Sequence, residues 1–100
     1  MYLEGRGIAT DSVEAIRLYT LAAEQGYIFA AAWLGQYYAK GGDVIQKNLV
    51  QAHFWSNIAS AQGHKVAKEN MDVVELEMTH AQIIEAMELA RRLLEKQTKK

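Results

Sequence analysis

Three histidines, His53, His64 and His80, come first in any search for chemistry, because a neutral imidazole binds metals and relays protons. No two of them stand four residues apart, and the chain has no Cys. Zinc sites draw on such pairs or on thiolates, so no metal centre is read here. Asp72 and Glu77 stand near His64 and His80 without a ligand spacing, which leaves capping and solvation as the expected histidine roles. Gly5-Arg6-Gly7 and Gly41-Gly42 have the glycine content of phosphate loops, but neither leads into Gly-Lys-Ser or Gly-Lys-Thr. Asp43 lacks the downstream ligands of a calcium loop. Ser12, Ser56 and Ser60 have no strand-to-helix elbow to make them nucleophiles. No catalytic residue, cofactor or metal is expected, and the chain is read as a non-enzyme.

The constellation that stands out is a recognition surface. Phe29, Trp33 and Tyr37 recur every four residues, with Gln36 and Lys40 on the same helical arc. Aromatic anchors with a polar rim are the composition of an interface hot spot. These five residues are the candidate partner-binding site for a protein or peptide. The competing reading is that Phe29 and Trp33 pack against the preceding helix. Alanine at Trp33 separates the two: a site residue costs about 2 kcal/mol of binding and leaves the helix content intact.

The rest of the chain must position that stripe. It has 100 residues, half of them apolar and 23% charged, with a net charge of −1. That balance excludes a disordered tail. It provides no bulk electrostatic case for nucleic acid or an anionic membrane. The longest apolar run, Tyr27 to Leu34, is far short of the roughly 20 residues of a membrane span. No basic segment followed by an apolar core opens the sequence. A cytoplasmic location is expected if the chain is complete, and a periplasmic or secreted one if a segment precedes it. Alanine occurs 15 times and proline never, the composition of a mostly helical chain.

Five helices are predicted. Val13–Gln25 is capped by Asp11 or Ser12 and closed by Gly26; Ile28–Lys40 ends at Gly41-Gly42-Asp43. Asn48 caps Leu49–Gln62, which Gly63 closes, and a fourth helix covers His64–Met78. Thr79 precedes a last helix whose stripe is Ile83, Met87, Ala90 and Leu94, flanked by Ile84, Ala86 and Leu93. The cations Arg91, Arg92, Lys96, Lys99 and Lys100 suit the negative end of its dipole.

The chain repeats itself. Ile8-x-x-Asp11-x-x-Glu14-Ala15-x-x-Leu18 returns as Ile45-x-x-Asn48-x-x-Gln51-Ala52-x-x-Trp55, an offset of 37. The same offset carries Ala22 to Ala59, Gly26 to Gly63 and Ala30 to Ala67. Upstream the offset is 36, carrying Tyr2 to Tyr38 and Gly5 to Gly41, so one extra residue lies between Gly41 and Ile45. Helix pairs at this period stack into an all-α solenoid. Gly35 inside a helix marks a point where another backbone passes close by.

The pattern Ala30-x-x-x-Leu34-Gly35-x-x-Tyr38-x-x-Gly41, then Ala52-x-x-Trp55, then Ala59-x-x-Gln62-Gly63-x-x-x-Ala67, resembles the SEL-one-like repeat, a relative of the tetratricopeptide repeat. Met71-Asp72 departs from the repeat's Leu-Gly. The resemblance implies an α/α solenoid of about two hairpins with repeat units at 1–26, 27–63 and 64–78 and a capping helix at 79–97. It implies a scaffold or adaptor for protein complexes, often in bacterial signalling or envelope settings. The first helix of each pair would line the concave face and carry the ligand contacts. Cysteine-rich relatives are associated with β-lactam recognition, and this chain has no Cys. The repeat phase leaves the apolar arc of the 13–25 helix half covered. Either the chain is the C-terminal piece of a longer solenoid, or two copies form a homo-oligomer through this end.

Overall fold

A computed structural model describes residues 9–42 and 46–98. Those residues form five helices and no strand: α1 (Ala9–Glu24), α2 (Ile28–Lys40), α3 (Leu49–Ala61), α4 (Lys65–Glu75) and α5 (His80–Thr98). Tyr2, Gly5, Ile8 and Ile45, which the repeat alignment uses, lie outside the described residues, as do Gly7, Asp43, Lys99 and Lys100.

The repeat is visible in the turns. Gly26 and Gly63 have φ of 101° and 100°, a region closed to most side chains. Each donates its N–H to the carbonyl three residues back, Ala23 at 3.0 Å and Ser60 at 2.9 Å. The next residues, Tyr27 and His64, donate to Ala22 and Ala59, both at 3.1 Å. This pair of bonds ties off carbonyls in the last turn of each helix, where the regular ladder ends. The same closure therefore recurs at the offset of 37 and turns the chain back each time.

The helix starts show which side chains complete the backbone. The Asn48 side chain accepts from the Gln51 amide at 3.1 Å, as expected of a cap. Asn48→Ala should lower stability by about 1 kcal/mol, read as a lower denaturation midpoint at unchanged denaturant slope. His64 caps α4 by accepting from the Ala67 amide on Nδ1 at 3.1 Å. Thr79 and Gln82 form a reciprocal box at the start of α5, with bonds of 3.1 and 2.9 Å. At α1 the expectation fails. The helix begins at Ala9, so Asp11 and Ser12 lie within it rather than at its start. No Gly or Pro stands between Ala9 and Val13 to stop the helix, and the propensity cost of Thr, Asp and Ser is small. α4 ends at Glu75 rather than Met78, tightening into i to i−3 bonds from Leu76, Glu77 and Met78.

α2 and α3 form the central hairpin; α1 packs on α2, and α4 packs on both. The shared core contains Ala23 of α1, Ala30, Ala31 and Leu34 of α2, Trp55, Ile58 and Ala59 of α3, Ala67 of α4 and Ala90 of α5. The small residues let helix axes come close, and the large ones fill the space between. Gly35 is the closest approach. A Cβ built there would overlap the Ser56 hydroxyl and lie 3.1 Å from its backbone nitrogen.

α5 lies across the back of α3, and its end reaches α1. Gln97 donates from Nε2 to the carbonyls of Ala23 and Glu24, both at 3.1 Å. Two terminal carbonyls of α1 are thus capped by a side chain more than 70 residues away. The inward stripe differs from expectation. Ala86 and Ala90 are fully enclosed, whereas Met87 is about half exposed. Two alanines a turn apart allow closer contact with α3 than Met87 would, and the helix is rotated to suit them.

Candidate functional site

Two seams lie between the first helices of successive hairpins and what precedes them. Between α3 and α4 the seam is polar. His53, 1% exposed, meets a carboxylate oxygen of Glu75 through Nε2 at 2.7 Å. Asn70 donates to the Ser56 hydroxyl at 2.8 Å. Of the three histidines, His64 caps, His80 is exposed and His53 is a buried tie between helices. Among the described residues no group of three or more His, Cys, Asp or Glu could hold a metal.

Between α1 and α2 the seam is aromatic. Trp33 stacks on Tyr19 with ring centroids 4.4 Å apart and on Tyr37 at 4.8 Å. Adding 37 to Tyr19 and Trp33 gives Ser56 and Asn70, so the ring stack and the Asn70–Ser56 bond occupy the same place in successive units. Trp33 and Tyr37 are partly buried against the core. Removing Trp33 therefore takes away packing as well as surface, and alanine there cannot isolate a binding role. Burial also pushes the neighbouring Tyr38 phenol above its usual range.

The other three predicted residues face elsewhere. Phe29 is 69% exposed and meets His64 edge-on, with ring centroids 5.9 Å apart. Gln36 and Lys40 are exposed and line a groove of about 430 Å³ between α2 and α4. Ala39 of α2 and Val66, Glu69, Asn70 and Val73 of α4 complete its walls. Half or more of Val66 and Val73 is in solvent. The predicted five thus divide into a stacked pair at the α1–α2 seam and three residues along the α2–α4 side. Sequence reasoning overlooked Val66 and Val73, although the signal was present: they are the counterparts of Phe29 and Gln36 at the repeat offset.

Helical hairpins stacked at a fixed period, with their first helices side by side along one open groove, define an all-α repeat protein. The Sel1 repeat family model matches residues 1–27 and 28–64, and the chain belongs to the Sel1 repeat family. No curated protein and no solved structure matches it. Sel1 repeats are generally protein-interaction modules, and proteins built from them are generally non-catalytic scaffolds. Among the described residues no helix is long and apolar enough to cross a membrane.

Proposed function

We propose that the chain is a protein-docking module that receives a peptide or protein segment in the groove between α2 and α4. One observation carries this reading. Phe29 and Gln36 of α2, and their counterparts Val66 and Val73 of α4, all keep their side chains in solvent. Three of the four are apolar. Exposed apolar side chains repeated at the same register of neighbouring helices favour a ligand that runs across the units. Lys40 and Glu69 on the groove walls supply one cation and one anion to orient it. Trp33 and Tyr37 extend the surface toward α1 through the exposed part of their stack.

The test is a peptide library selected on the immobilised chain, followed by titration of the selected peptides against Phe29→Ser and Val73→Asp. Both residues lie outside the core, so both variants should keep the wild-type circular dichroism and melting temperature. Each should weaken binding by about tenfold or more. Unchanged affinity in both variants would remove the groove from the account.

A further inference from the structure

Where the last turns of α5 reach the end of α1, the three helices α1, α3 and α5 enclose a pocket of about 310 Å³. Its floor is apolar. Trp55 is 4% exposed, Phe54 is half-buried with its ring centroid 4.5 Å from that of Trp55, and Leu93 of α5 completes the surface. One wall is pinned, because Gln97 donates to the carbonyls of Ala23 and Glu24. The repeat offset carries Glu24 to Ala61 and Phe54 back to Arg17, so neither the acid nor the ring belongs to the repeated pattern.

Two charges of opposite sign line this pocket, Glu24 from α1 and Lys96 from α5. Both side chains are exposed, and among the described residues neither has a hydrogen-bond or ion-pair partner, each other included. An unmet carboxylate and an unmet ammonium beside one apolar floor suit a ligand with both charges and an apolar body. The geometry points to a binding site for a free α-amino acid with an apolar side chain. Its ammonium meets Glu24 at the carbonyl end of α1, where the helix dipole also favours a cation. Its carboxylate meets Lys96, and its side chain packs on Phe54 and Leu93. The volume is at the small end of ligand sites, which run from about 300 to 1,000 Å³, and suits one amino acid rather than a peptide segment. A peptide N-terminus would bring the ammonium without the carboxylate, and a C-terminus the reverse. The pocket shares no residue with the α2–α4 groove, so the two sites stand independently.

The test titrates L-phenylalanine into the full isotope-labelled chain and follows amide and indole chemical shifts. Saturable shifts are expected at Glu24, Phe54, Leu93 and Lys96 and at the Trp55 indole. Glu24→Gln and Lys96→Gln should each weaken binding by about three- to fivefold, the scale of one exposed ion pair. Both residues are exposed, so both variants should keep the wild-type circular dichroism. Two analogues assign the charges. L-phenylalaninamide lacks the carboxylate, so it should bind more weakly and be indifferent to Lys96→Gln. N-acetyl-L-phenylalanine lacks the ammonium, so it should bind more weakly and be indifferent to Glu24→Gln. The proposal is overturned by the absence of saturable shifts, by saturable shifts that lie outside the pocket, or by an analogue that binds as tightly as the zwitterion, which would make a peptide terminus the ligand.

Discussion

Trp55→Ala should lower the unfolding free energy by about 3–5 kcal/mol. Trp55 is almost wholly enclosed at the centre of α3. Its cluster draws Ile16 and Ala23 from α1, Ala30 and Leu34 from α2, and Ala90 from α5. It also lines a pocket with Glu24, Gln25, Phe54, Leu93 and Gln97, where the end of α5 meets the end of α1. Truncation removes the indole's burial and leaves a cavity that four helices cannot all close upon. A domain of this size has only about 5–15 kcal/mol of stability in total, so the variant stands close to unfolding. Urea denaturation provides the loss. Hydrogen exchange adds a spatial check, because amides in the last turns of α5 should lose protection first. A loss below about 0.5 kcal/mol, the scale of a surface substitution, would show that Trp55 is not the centre of the core.

Gly35→Ala should also destabilise, by about 1–3 kcal/mol, although it places a better helix former inside α2. Propensity alone predicts the opposite, a gain of about 1 kcal/mol. The sign is decided by Ser56. A Cβ at position 35 would overlap the Ser56 hydroxyl and stand 3.1 Å from its nitrogen and 3.3 Å from its Cα. The hydroxyl could swing aside only by giving up the bond from Asn70. The backbone atoms could give way only by moving α3 off α2. Ser56→Gly in the same chain should therefore restore part of the loss and not all of it. Guanidinium melts of the single and double variants measure this, and a stabilised Gly35→Ala chain would contradict the packing described.

Features that depend on local chemistry were legible in the residues. Gly26 and Gly63 closed their helices, Asn48 capped α3, and Gly35 marked the close approach, because each needs only its neighbours or a repeat partner to be recognised. Features set by distant partners were not. His53 looked like any solvated histidine until α4 brought Glu75 to it from 22 residues away. Met87 suited the inward stripe of α5 by spacing, but the contact with α3 is made by Ala86 and Ala90, and spacing alone does not choose between neighbouring arcs. The candidate site was legible on α2 only. Trp33 and Tyr37 belong to a stack completed by Tyr19 of another helix, and the second groove wall comes from α4. That wall could have been found by carrying Phe29 and Gln36 forward by the repeat offset.

The docking proposed for this Sel1 repeat chain puts a protein segment where its first helices lie side by side. Amide chemical-shift mapping of the full chain with a selected peptide tests it directly. Shifts should concentrate on α2 and α4, at Phe29, Gln36, Lys40, Val66, Glu69 and Val73, with α5 unmoved. Shifts confined to the outer side of α5, around Ile84, Met87 and Arg91, would contradict it.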